Sequence, residues 1–334
     1  MYVEPHLGRN IRRFLTFGAV AVLLFLLCGT TYERIGQQRD RKLAPQIGRS
    51  VDIGGRKLNI CCSGEGRLTV IFESDWGLPG YSWLHLQQDV AKFTRACWYD
   101  RAGYGWSDPG PFPNHSDSIA RDLHALLDNA HIAPPYVLAA HAIGAFHARV
   151  FRGFYPNEVV GMVLIDPTSE DLTINIHNHI ELFRRAVLLA HQIMGVVGYM
   201  RLKRQPMIQV PKESFTQQEW NELTILQWQT KSLVAEGKEP PLWVCGEQAR
   251  TAGSFGNIPV IVLSAGIQDW EEDPKLSQDH ALKLNLQEKM ASLSSRGSRR
   301  IVADSGHWIP FDAPSFVVSA VQEVVDTIKK GHNK

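Results

Sequence analysis

Net charge is nearly absent from this sequence: 35 basic side chains against 34 acidic ones leave +1 over 334 residues. A surface that coats phosphates needs a basic excess, so binding to nucleic acid is not expected. Cysteine is scarce, five in all, and no C-x-x-C pair occurs. That excludes a zinc ribbon and a disulfide-dense small scaffold. G-x-G-x-x-G and P-loop stretches are missing, and no His, Cys or acidic residues recur at metal-ligand spacing. Neither a cofactor nor a metal is therefore expected. Between Phe14 and Tyr32, charge of either sign disappears altogether.

What is present begins with that uncharged stretch. Roughly 17–25 apolar residues cross a bilayer core, and Phe14–Tyr32, with AVAVLLFLLC at its centre, just suffices. Arg9, Arg12 and Arg13 precede it. The positive-inside rule then leaves the N-terminus cytoplasmic and the body extracytoplasmic. A cleaved signal peptide shares the charge pattern, but no Ala-x-Ala site follows; a buried core helix is the third alternative. The expectation is a single-pass protein whose partner is the lipid bilayer, through residues 14–32. Residues 1–32 would be the anchor and the polar stretch 33–47 a linker.

Beyond the linker, hydrophobic residues at 44% overall suit a folded body. Short apolar runs typical of buried strands alternate with helical stretches. The runs are Leu68–Glu73, Arg95–Tyr99, Tyr136–Ala140, Val159–Ile165 and Pro259–Leu263. Gly54-Gly55 between two further runs signals a hairpin. The last helix, about Ala313–Lys329, shows one apolar face. This alternation means α/β with a mostly parallel sheet. Residues 168–256 break the rhythm and read as helical, splitting the body into 48–167 and 257–334. Within them, Glu181–Leu202 is apolar almost all round. It either packs over the core, lines an apolar substrate pocket near the membrane, or docks a partner or second copy, so a homo-oligomer is possible.

Pro135–Gly144 reads PYVLAAHAIG, a strand running straight into a helix. A nucleophile elbow places small-x-nucleophile-x-small at such a turn, because only small flanks let the backbones approach. Ala140 and Gly144 are the small positions, and His141 and Ile143 the fillers. Position 142, where serine belongs, is alanine.

With DRAGYGWSDP from Asp100, YPNEVVGMVLIDP from Tyr155 and ADSGHWIPFDAP from Ala303 in this order, the chain resembles the serine hydrolases of the α/β-hydrolase fold over roughly residues 48–330. The resemblance implies a mostly parallel eight-stranded sheet with helices on both faces, a helical cap over 168–256 and hydrolysis of an apolar carboxylic ester. His307 would be the general base. Asp269, just past the Pro259–Leu263 strand, is the favoured acid, and Asp166 the alternative. The oxyanion hole would use the backbone N–H of Ile143 and that of Asp75 or Trp76. Many members are glycine-rich at that loop; Asp75-Trp76 departs from this, and a carboxylate there would oppose an oxyanion. Trp83, Tyr104 and Trp308 are expected at the substrate pocket. In this fold the second and fourth strands are neighbours, so Cys61 or Cys62 could approach Cys97, unless all are free thiols.

Alanine has no nucleophilic atom, and loss of a serine nucleophile costs about 10⁶ in turnover in a serine protease. Ala142 marks either a serine removed from an active hydrolase or a natural member that binds without cleaving. The retained small flanks, His307 and candidate acids favour the first.

Overall fold

The computed structural model describes residues 5–174, 178–208, 210–267 and 274–332. Strands β1 (Arg49–Asp52), β2 (Lys57–Ser63), β3 (Thr69–Glu73), β4 (Arg95–Tyr99), β5 (Tyr136–His141), β6 (Val159–Ile165), β7 (Gly256–Ala265) and β8 (Ser294–Val302) form one sheet. Its order is β1-β2-β4-β3-β5-β6-β7-β8, parallel from β4 to β8 with β1 and β2 antiparallel at one edge. Helix α1 (Pro5–Leu43) precedes the sheet, α2 (Leu84–Val90) follows β3, α3 (Ser116–Asn129) follows β4 and α4 (Gly144–Phe154) follows β5. Only helices are described between β6 and β7: α5 (Glu170–Ile174), α6 (Asn178–Val196), α7 (Tyr199–Lys203), α8 (Gln217–Trp228), α9 (Thr230–Gly237) and α10 (Leu242–Thr251). Then come α11 (Pro274–Ala291) before β8, and α12 (Ile309–Asp312) and α13 (Pro314–His332) after it.

The central strands are apolar on both faces because helices cover both. Along β3, Val70 and Phe72 join one core with Val321 and Val324 of α13. Ile71 between them joins the other, with Leu126 of α3 and Phe146 of α4. That alternation is the two-residue period of a strand. Parallel strands carry their helices after their C-terminal ends, so the loops after β3, β5 and β6 and the loop after β8 gather along one edge. The site is built there.

Two expectations change. Residues 33–43 are no separate linker: α1 runs on unbroken to Leu43. Glu33 and Asp40 on that extension clasp Arg201 of α7, whose Nε and Nη1 donate at 2.9 and 2.6 Å. Gly36 makes the approach possible, since a Cβ there would lie 2.1 Å from Arg201 Nε. Among the described residues, none buries the apolar window of α1, where Phe14 and Phe17 are more than 70% exposed; that is not the packing of a buried core helix. Residues 11–43 are long and apolar enough to span a membrane.

The cysteine alternatives also resolve. Cys62 and Cys97 are direct partners across the antiparallel β2–β4 pair and form a disulfide. Cys61, one residue earlier, faces the other side and stays free.

Candidate active site

The turn after β5 has the shape of an elbow. Ala142 sits at φ +50°, a left-handed conformation that L-residues rarely adopt. Its N–H donates to Ile165 O at 3.0 Å, and its carbonyl accepts from Ala145 and Thr168 N–H at 3.2 and 3.1 Å. Gly144 lets α4 start against the β3 loop: a Cβ there would stand 2.8 Å from Ser74 O. The methyl of Ala142 occupies the nucleophile's place.

His307, in the loop between β8 and α12, donates from Nδ1 to Asp166 Oδ2 at 2.6 Å. Asp166 ends β6 and is fully buried. Three further donors hold it: Lys283 Nζ at 2.5 Å, Gln287 Nε2 at 3.0 Å and Ala265 N–H at 3.4 Å. Of the two expected acids, Asp166 is the one brought to His307; Asp269 lies outside the described residues.

The other nitrogen of His307 meets a second carboxylate. Its Nε2 lies 3.3 Å from Asp75 Oδ2. Asp75 Oδ1 accepts the N–H of Trp76 at 2.7 Å and that of Ile143 at 3.4 Å. Those are two of the donors expected to stabilise an oxyanion. The expected second donor was the backbone N–H of Asp75 or Trp76; the Asp75 side chain instead accepts from the Trp76 and Ile143 N–H groups itself.

A model of the Alpha/beta hydrolase family matches residues 70–320. The chain belongs to that family. Among Bacillus subtilis proteins, uncharacterised YqjL is 24% identical over 261 residues, 78% of this chain and 85% of its own. Uncharacterised YbdG is 28% identical over 150 residues, 44% of this chain, and the match spans about half of YbdG (46%). A solved esterase from Thermogutta terrifontis superposes with TM-score 0.61 at 18% identity, covering 84% of this chain and 98% of the esterase. That likeness is one of fold.

In this alpha/beta hydrolase, Arg101 braces the Asp75 loop from beneath. It is 3% exposed and donates to Ser74 O at 2.5 Å, Asp75 O at 2.9 Å and Glu73 Oε1 at 3.0 Å. Nothing in the spacing of DRAGYGWSDP announces that task. His141, taken as filler, also belongs to the site: its Nε2 donates to His307 O at 2.9 Å, and the two rings stand 4.8 Å apart. A sequence cue existed, since Asp75 and Ala142 are the two departures from the family's pattern and prove to be adjacent.

The three expected pocket aromatics divide. Trp308 is half-buried with its ring 5.0 Å from His307 and 5.6 Å from His141, at the site's rim. Trp83 is core, not pocket: it is 2% exposed, stacks on Phe72 at 4.8 Å and donates to Ser74 Oγ. Tyr104 is also buried, because its hydroxyl donates to Glu239 Oε1 at 2.7 Å below the site. Trp76, next to Asp75, is half-buried, with the Arg184 guanidinium of α6 over its ring at 5.5 Å.

The electrostatics follow from these contacts. Burial alone would depress His307, but its bonds to Asp166 and Asp75 outweigh that and push it up to about 9. Burial and the charge of His307 push His141 down to about 4. Burial raises Asp75, yet the His307 bond and the two imidazoles leave it below the usual carboxylate range. Ala142 carries no hydroxyl, so no acyl-serine can form at that position.

Proposed function

We propose that this chain is a membrane-anchored hydrolase-fold protein whose pocket takes an apolar ester, or the acyl part of one, at the bilayer surface without forming an acyl-enzyme. The observation that carries this is the pairing of Ala142 with Asp75. A hydrolase silenced by one substitution would keep an open oxyanion hole; here Asp75 takes both backbone donors and stands on His307 Nε2. This favours a natural binding member over a disabled enzyme, the reverse of what the retained flanks alone suggested.

Three features support the membrane side. The window from residue 14 to 32 carries no charge, and its helix continues into the clasp on Arg201. Where α1 leaves that window, Gly29 abuts Val197 and Tyr32 abuts Gly198, beside the cap. There Leu182, Phe183, Leu189 and Ile193 of α6 and Leu202 of α7 are more than half exposed, an apolar face beside the anchor. The Cys62–Cys97 disulfide suits an oxidising compartment, which agrees with a cytoplasmic N-terminus behind Arg9, Arg12 and Arg13.

The test uses the full chain in detergent micelles with a nitrophenyl acyl ester and a serine-directed fluorophosphonate probe. Neither turnover above background nor labelling is expected of the wild type, and Ala142→Ser alone should gain little of either. Full labelling and rapid turnover by Ala142→Ser would overturn this reading in favour of a hydrolase silenced at a single residue.

A further inference from the structure

Three donor side chains far apart in sequence meet on the face of His307 that Asp166 leaves open. Asp75 comes from the loop after β3, His141 from the last residue of β5 and His307 from the loop before α12. One ligating atom of each lies within 4.8 Å of the other two. Asp75 and His141 are buried, whereas the His307 side chain is 37% exposed and keeps the cluster open to solvent. We propose that Asp75, His141 and His307 bind one divalent transition-metal ion of the zinc type.

Each donor is already oriented as a ligand. Asp166 holds Nδ1–H of His307, so displacement of the Nε2 proton by an arriving ion leaves a lone pair directed toward Asp75. His141 spends its Nε2–H on the carbonyl of His307, so its neutral ring carries the lone pair on Nδ1. Trp76 and Ile143 N–H hold Oδ1 of Asp75, which leaves Oδ2 to coordinate. Protein metal ligands are held by just such outer hydrogen bonds to carboxylates, carbonyls and amides.

Distance argues the same way. A charge-assisted hydrogen bond runs to about 2.7–2.9 Å, but His307 Nε2 and Asp75 Oδ2 are 3.3 Å apart. Two ligands bonded at about 2.0–2.1 Å to a tetrahedral ion stand about 3.3 Å from each other. The ligating atom of His141 lies within 4.8 Å of the other two and would close on the ion. Two imidazoles and one carboxylate are the ligand classes of open catalytic zinc sites, with the fourth position left for water or ligand. The methyl of Ala142 offers nothing that competes for it. The inference goes beyond the reading of the site as an ester pocket and does not depend on it, because these donors would hold the ion with no ester present.

The test is metal binding, free of substrate and bilayer. Full-length protein in micelles, stripped by a chelator and desalted, is titrated with Zn²⁺ by calorimetry and with Co²⁺ by visible absorption. One equivalent should bind, with tetrahedral cobalt bands and no thiolate charge-transfer band. Asp75→Asn and His141→Gln should each weaken binding at least 100-fold. Thermal unfolding of each variant shows whether it is folded. No binding by folded wild type would overturn the site, as would binding that both folded variants leave within twofold. A thiolate band would also overturn it, pointing to Cys28, Cys61 or Cys245; should the variants not fold, that band or its absence decides alone.

Discussion

The two nitrogens of His307 face two carboxylates that are built in opposite ways. On the Nδ1 side, Asp166 is fully buried and saturated: His307, Lys283, Gln287 and Ala265 all donate to it. On the Nε2 side, Asp75 is held by two backbone N–H groups at one oxygen, and its other oxygen has only His307, at 3.3 Å. The first arrangement can only hold a ring in place. The second keeps lone pairs in reserve and faces the side from which a ligand arrives. In this alpha/beta hydrolase one side of His307 is fully satisfied by Asp166 and its donors, while the other side faces a carboxylate held at one oxygen only.

The sharpest way to break the comparison is to convert the second half to the family's pattern. Ala142→Ser introduces a hydroxyl but leaves Asp75 on the donors and on the nitrogen that must accept its proton. Adding Asp75→Gly frees all three. Removal of one oxyanion-hole donor costs about 10²–10³ in turnover in a serine protease, or about 3–4 kcal/mol. The double variant should therefore hydrolyse a nitrophenyl acyl ester at least 10²-fold faster than Ala142→Ser. Equal rates would mean that Asp75 does not block the hole.

Stability separates the same two carboxylates. Asp166→Asn weakens charge-assisted bonds from His307 and from Lys283, whose side chain keeps access to water, and should cost about 2 kcal/mol. Asp75→Asn keeps an oxygen for the Trp76 and Ile143 donors and presents its amide N–H to His307, so it should stay within about 1 kcal/mol of wild type. Urea unfolding of the full chain in micelles measures both. Similar losses would erase the distinction between a saturated carboxylate and a reserved one.

Much of this architecture was legible in the sequence, because buried parallel strands announce themselves by composition. Arg95–Tyr99 and Val159–Ile165 are found where the runs place them, and the last helix, expected over about 313–329, spans Pro314–His332. His307 and Asp166 also come together, since motif context fixes which loop carries each. Three things were not legible. Residues 33–43 are polar, and only the reach of Arg201 from a distant helix shows that they continue α1. Trp83 and Trp308 are alike as residues; only the direction of each turn sends one into the core and the other to the rim. The role of Asp75 depends on which way a side chain points within one loop, and no periodicity encodes that.

The smallest effect tests the charge around the Asp75 half. Glu236 and Glu239, at the end of α9, lie beneath this side of the site. Burial first and their mutual repulsion second push Glu236 up to about 7, with Arg184 of α6 opposing. Burial likewise lifts Glu239 to about 7 against Arg101 and Tyr104, and Asp75 adds to the rise. An unfolded chain releases such protons near pH 4.3. Between there and pH 7 the native state binds more protons than the unfolded one, so stability must fall as pH rises through this window and level off above it. Glu236→Gln removes one of the two groups. It should match wild type at pH 5 and exceed it by about 1–2 kcal/mol at pH 8, read from thermal unfolding at both values. If the variant tracked wild type at both pH values, the negative charge on this half would be compensated after all, and the contrast with the Lys283-neutralised half would shrink to the single oxygen of Asp75.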